Sequence, residues 1–165
     1  MASPISTPTA PPTLPVSPPM GDLVEINERT TVTVVASAFD TRTSGAGCPP
    51  NGCEATNTRD GDLSTRWSCK EDLLDDNCEI MYTFEEPQDI VRVLIAFYKG
   101  DERTRGLKVK INGSSQDVTL ESSGETEELQ PFEFNTDETE TFVLEARGLS
   151  GDEWIAITEV QFLVL

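Results

Sequence analysis

A chain of 165 residues is long enough for one packed domain and short for two. Its 30 acidic residues against 12 basic ones leave a net charge of −18, a surface that repels nucleic acid and anionic lipid. Histidine is absent, which removes the usual general base, the Ser/His and Cys/His couples and most catalytic zinc sites, so the chain reads as a non-enzyme.

Residues 1–21 are almost wholly Pro, Ser, Thr and Ala. Such a segment is a stiff, solvated polyproline-type linker. It lacks the basic start and apolar run of a signal peptide. Linkers of this kind join modules, so the chain reads as part of a larger secreted protein, with one module over 22–165. No stretch has the length and apolarity of a membrane span.

From Leu23 onward the hydrophobic period is two. Thr31 to Ala36 is a β-branched run, and Ile80, Tyr82 and Phe84 alternate along the next strand. Ile90 to Tyr98 is the longest apolar stretch and predicts a central strand buried on both faces. Leu107 to Ile111 and Val118 to Leu120 flank Asn112-Gly113-Ser114-Ser115, a hairpin signal that also reads as an N-glycosylation acceptor. Phe132 with Phe134, Phe142 to Ala146, and Trp154 to Leu165 complete the set. No helical periodicity is sustained. About eight short antiparallel strands with turns between them predict an all-β fold, a sandwich or jelly roll.

Four cysteines fall as two close couples, Cys48 with Cys53 and Cys69 with Cys78. Three pairings are open from sequence. The spacings are wider than those of zinc knuckles and the intervening residues are acidic, so disulfides and an oxidising compartment are expected.

Asn57 to Cys69 is the densest chemistry in the chain. Asn57, Asp60, Asp62 and Thr65 place oxygens around Gly61, which lets the backbone fold tightly. A hard cation such as calcium takes six to eight oxygens at roughly 2.3–2.6 Å. The bland alternative is a turn in which the Asp carboxylates bond only to nearby amides. An EF-hand is disfavoured, because Thr65 stands where that loop needs glycine. Leu63 and Trp67 are expected to anchor the loop in the core.

The bases are unevenly spread. Lys99, Arg103, Arg105, Lys108 and Lys110 fall just after the central strand, whereas 112–146 contains no base at all. A cationic cluster beside Tyr98 is a candidate anion-binding patch. Lys108 and Lys110 alternate with apolar residues and belong to a solvated strand face.

Three segments together resemble a known family: Thr58 to Ser68, Ile95 to Arg103, and Trp154 to Phe162. They resemble the discoidin-like domains, also called coagulation factor V/VIII type C domains. The nearer likeness is to the family 32 carbohydrate-binding modules attached to alginate lyases. The resemblance implies a jelly-roll sandwich with a structural Ca2+ held by Asn57 (backbone), Asp60, Asp62 and Thr65. Thr158 (backbone) and Glu159 from the last strand close the shell. It also implies a non-catalytic, monomeric, extracellular module. That module binds an anionic uronate-containing polysaccharide such as alginate for a covalently linked catalytic domain. Arg66, Tyr98, Lys99, Arg103, Arg105 and Trp154 are the expected ligand residues, since arginine grips a carboxylate with paired hydrogen bonds and rings stack on sugars. Two alternatives carry the same fold: a lectin for neutral galactose- or GlcNAc-type glycans, and an adhesion module for protein or membrane. The cysteines and the 45–53 insertion depart from bacterial members.

Overall fold

A computed structural model describes residues 23–26, 31–37, 48, 52–70, 78–147 and 154–165. The Pro-rich segment 1–21, most of the 45–53 insertion and the acidic 71–76 loop lie outside the described residues. Ten strands are present among the described residues: β1 (Val24–Glu25), β2 (Val32–Ala36), β3 (Trp67–Lys70), β4 (Cys78–Gln88), β5 (Ile90–Phe97), β6 (Gly106–Ile111), β7 (Ser114–Glu121), β8 (Gln130–Glu133), β9 (Thr139–Arg147) and β10 (Trp154–Val164). A short 3-10 helix, Ala55–Arg59, precedes β3.

The strands form two sheets, β1-β10-β5-β8 with β3 also on β10, and β2-β4-β9-β6-β7. Every pairing is antiparallel, so the fold is the all-β jelly-roll sandwich expected. β3 and β1 are the strands that periodicity did not reveal, because four and two residues carry too little alternation to register. β8 lies at a sheet edge, where Pro131 costs no ladder bond that a partner needs.

One hydrophobic core lies between the sheets. Phe162 of β10 is its hub. Its ring meets Tyr82, Phe84 and Phe142 of the facing sheet edge-on, with centroids 5.1, 5.2 and 5.2 Å away. T-shaped pairs of this kind contribute about 0.5–1.5 kcal/mol each beyond their buried area. Trp67 is fully buried in the same core. The outer face of the second sheet differs from a merely solvated one. Lys110 lies between Glu79 and Glu145 of β4 and β9, and these carboxylates raise its pKa, Glu79 foremost.

The hairpin signal is realised as written. Ile111 pairs with Ser114 across a two-residue turn, and Asn112 and Gly113 have φ of 48° and 77°, the geometry of a type I′ turn. The Asn112 amide is spent on structure. Its oxygen accepts from the Glu140 and Thr141 backbone at 2.8 and 3.0 Å, and its nitrogen donates to the Glu138 carbonyl at 3.0 Å. A glycan on that nitrogen would compete with the last of these bonds.

Two disulfides are formed, Cys48–Cys53 and Cys69–Cys78, and both are local pairings. The second joins β3 of one sheet to β4 of the other. It is therefore a staple across the sandwich and closes only a short loop. Replacing both Cys69 and Cys78 with Ala should lower stability by about 2–4 kcal/mol in urea titration. An unchanged midpoint would show that the core alone holds the two sheets in place.

Candidate functional site

The loop after the 3-10 helix is built from two successive turns closed by side chains. Asp60 accepts from the Asp62 amide and Asp62 from the Ser64 amide, each at 2.9 Å. Thr65 donates its hydroxyl to the second Asp60 oxygen at 2.6 Å. Gly61 has φ of 75°, a conformation costly for any residue with a Cβ. The Ser64 hydrogen bonds hold the Asp62 carboxyl below its ordinary range. Asn57 turns its amide nitrogen to the Gly52 and Arg66 carbonyls at 3.2 and 2.8 Å, clamping the base of the loop.

The far end of the chain meets this loop through an irregularity in β10. Ile157 pairs with Phe97 and Glu159 with Ala96, so one step along β5 spans two along β10 and Thr158 is the extra residue. Such a bulge shifts the alternation by one. Ile155 and Ile157 are buried before it, and Val160, Phe162 and Val164 after it. Glu159 then reaches the loop, accepting from the Gly61 amide at 3.1 Å. Burial, with Asp60 and Glu25 adding to it, pushes the Glu159 carboxyl up to about 7, against the lowering effect of the Gly61 amide and Arg59.

Among the described residues no group of three or more His, Cys, Asp or Glu is placed to hold a metal. The oxygens that do meet around Gly61 are the Asp60 and Glu159 carboxylates and the Thr65 hydroxyl. All are hard donors, and two of them are carboxylates, the exposed Asp60 and the buried Glu159, whose charges oppose each other. That donor set fits a calcium-type ion completed by backbone carbonyls.

The ligand residues expected from sequence fall into distinct settings. The Arg66 guanidinium lies over the Tyr98 ring, 3.9 Å from its centroid, a close cation–π contact. Lys99 follows Tyr98 in a left-handed conformation, φ 54°, and its ammonium pairs with Glu102 at 3.0 Å. Arg103 and Trp154 are half-buried. Trp154 pairs with Lys70, three positions along β3 from the Trp67–Ile157 pair next to Arg66, which separates it from the Arg66–Tyr98 stack by about 10 Å of strand. Arg105 is 3% exposed, and its backbone is held by Ser122, so it is removed from the ligand surface. Leu63 also departs from expectation. It is 47% exposed, because the turn that Asp62 closes carries it outward instead of into the core.

Solved structures share this fold. The family 32 carbohydrate-binding module of AlyQ, in complex with 4,5-unsaturated mannuronic acid, is 29% identical, with a TM-score of 0.64 over 79% of this chain and 92% of that one. The chain has the discoidin-like fold of the family 32 carbohydrate-binding modules. A truncated AlyQ with this module and alginate lyase domains is 27% identical at a TM-score of 0.65, and the discoidin-like chain spans about a third of it, 34%. A pectin-binding carbohydrate-binding module at 22% identity and a TM-score of 0.64 shares the fold. No protein-family model and no curated protein matches.

Three residues that position this discoidin-like site were not read from sequence. The Arg59 side chain is almost fully buried, donates to the Val160 carbonyl at 2.8 Å and to Glu25 at 3.0 Å, and so ties the root of the 60–65 loop to β10 and β1. Glu127 accepts from the Lys99 amide at 2.9 Å, which holds the strained turn after Tyr98. Gly100 is buried under Thr126, whose carbonyl oxygen would clash with any Cβ there. The Gly-Asp step after Tyr98-Lys99 was the signal for that close approach. Gly100→Ala should push the 98–105 and 123–128 segments apart and lower stability by about 1–3 kcal/mol. Thermal melting of the variant checks this, and a melt equal to the parent's would mean the segments part freely.

Proposed function

We propose that this chain is a non-catalytic module that binds uronate-containing polysaccharide of the alginate type and carries a structural calcium ion. The Arg66–Tyr98 stack carries the reading. The Arg66 guanidinium lies 3.9 Å from the Tyr98 ring centroid, which places a cation beside an aromatic surface, and the guanidinium is the side chain whose geometry matches the two oxygens of a uronate carboxylate. Arg103 adds a second cation in the loop that follows. Lys99 contributes less than its sequence position implied, because Glu102 already neutralises it. The AlyQ module, crystallised with an unsaturated mannuronic acid, gives this chemistry a precedent in the same fold.

Asp60, Thr65 and Glu159, with carbonyl oxygens of Asn57 and Thr158, would hold the calcium. The carboxylate of Asp62, partly spent on Ser64, would complete the set. A cation there relieves the opposition between Asp60 and Glu159 and so ties the loop to the last strand. The proposed role of the module is to keep a linked catalytic domain beside its substrate, as in the AlyQ chain that holds both kinds of domain.

Titration calorimetry with oligo-alginate tests the ligand. Arg66→Ala should weaken binding by about tenfold or more, the loss of a charge-assisted pair. Equal binding by Arg66→Ala and Arg103→Ala would remove the assigned surface. Calcium is tested separately by melting: at a hundredfold excess over its Kd it should add about 2.7 kcal/mol. Chelator should reverse this increment and Asp60→Ala should abolish it. A melt indifferent to calcium in the parent chain would sink the metal assignment without touching the sugar one.

A further inference from the structure

Five of the described strands lie at sheet edges: β1, β3 and β8 in one sheet, β2 and β7 in the other. An edge strand offers a row of unpaired N–H and C=O groups, and proteins blunt it with brevity, charge, proline or a bulge. Four of the five carry such devices. β1 has only two residues and includes Glu25, and β3 ends in Lys70. β8 holds Pro131 and Glu133, and β7 ends in Glu121 and has a break in its register with β6. β2, Val32-Thr33-Val34-Val35-Ala36, has none of them. It is uncharged, free of proline and rich in β-branched residues, and its register with β4 runs without a shift.

The pairing with β4 fixes which groups this edge presents. The Ser37 amide donates to the Glu79 carbonyl at 2.9 Å and the Glu85 amide to the Thr31 carbonyl at 3.1 Å, so the odd-numbered residues bond to β4. The N–H and C=O groups of Val32, Val34 and Ala36 therefore point away from the sheet, and no strand among the described residues pairs with them. On the outer face Val35 is 52% exposed and stands opposite Met81 of β4, itself 39% exposed. The next pair along, Thr33 and Thr83, is uncharged. On the other side Glu79 is neutralised by Lys110. In a chain of net charge −18, this strip is neutral.

We propose that β2 is a self-association edge, at which a second copy of the chain pairs antiparallel about a twofold axis through Val35. This register sets Val35 against its own counterpart, Val34 against Ala36 and Thr33 against Ser37. Val34 and Ala36 of the two copies then exchange their outward hydrogen bonds, and the two Val35–Met81 pairs join into one apolar row across the axis. A second copy suits the strip better than a charged partner does. Neutral surface meets neutral surface at the axis, while a cationic protein finds its acids elsewhere on the molecule. An edge of five residues covers much less than the roughly 1,200 Å² of a stable interface, so the pair is weak and forms at high concentration. Repulsion between two acidic bodies opposes it at low ionic strength, and salt promotes it by screening. The monomer that the family resemblance implies is then the dilute state. The pairing does not rest on the sugar reading. Should both hold, a pair carries two Arg66 surfaces, and a repeating polymer that engages both gains avidity.

Sedimentation velocity of the full chain without sugar tests the proposal across concentration and salt, with backbone amide exchange followed by NMR. The sedimentation coefficient should climb toward that of a dimer between about 10 μM and 1 mM, and climb further when the screening length falls from about 30 Å to 8 Å. Over the same concentrations the Val34 and Ala36 amides should exchange about threefold more slowly or better, while those of Thr33 and Val35, already bonded to β4, stay as they are. Val35→Lys sets two cations against each other at an exposed position and should weaken association by about tenfold or more. Val118→Lys, on the β7 edge, should leave it unchanged. The exchange measurement uses the parent chain and serves if a variant does not fold. A chain that stays monomeric at every concentration and salt would overturn the proposal. So would a dimer whose Val34 and Ala36 amides exchange as in the monomer, or one that Val35→Lys weakens no more than Val118→Lys does.

Discussion

One extra residue in the last strand controls the whole functional end of the molecule. Without the bulge at Thr158, β10 would keep one alternation from Trp154 to Val164, and either Ile155 and Ile157 or Val160 and Phe162 would face solvent. The bulge lets both sets face the core and spends the irregularity where Glu159 meets Gly61. A strained ladder and a desolvated carboxylate are thus concentrated at one point, beside the loop of Asp60 and Thr65. The paired strands β3 and β5 flank β10 around it, and that pairing is what keeps such a local arrangement in place.

The scaffold around this point is held from several independent directions. Phe162, three positions after Glu159, locks β10 to the facing sheet through three edge-on rings. Arg59 bonds to Val160 on one side and Glu25 on the other, and its guanidinium lies 5.6 Å from the Phe162 ring centroid. Thr58, its neighbour, bonds to the buried Tyr82 hydroxyl at 3.0 Å, reaching the second sheet. The 60–65 loop is therefore fastened at its root to both sheets, while its tip at Leu63 and Ser64 stays exposed. Rigid root and open tip are the arrangement a binding loop needs.

The strands with long alternation were legible because period two survives any packing partner: Ile80, Tyr82 and Phe84 are all buried together. The Asn112-Gly113 turn was legible because positive φ at both positions leaves few residue choices. The loop after the 3-10 helix was legible as a side-chain-closed turn through the spacing of Asp60, Asp62, Ser64 and Thr65 around Gly61. What could not be read was anything fixed by contact between distant segments. The Thr158 bulge leaves no mark on residue pattern, since Thr-Glu suits a regular strand equally well. Arg105 looked like a surface base, yet tertiary context buries it behind Ser122. Lys99 looked like a free cation, and only the folded turn brings Glu102 to it. Arg59, Arg92, Lys99 and Lys110 each find an acid within ion-pair distance, so sequence overcounts the cations available to a ligand.

That scarcity bears on the proposal that an acidic protein holds an acidic polymer. At low ionic strength a net charge of −18 opposes the approach of any polyanion over the length of the whole molecule. At physiological salt the screening length is about 8 Å, so this long-range repulsion is largely removed while a contact made at hydrogen-bond distance keeps much of its strength. Binding must then come from a few cations whose geometry is fixed in advance. Arg66 meets that condition through its ring platform, because a guanidinium already immobilised on Tyr98 loses little further freedom when a carboxylate arrives. On the proposed reading the surrounding acids would discourage uronate rings from lying anywhere except at the arginine. On this view the acidic composition is compatible with an anionic ligand because it confines that ligand to one point of attachment.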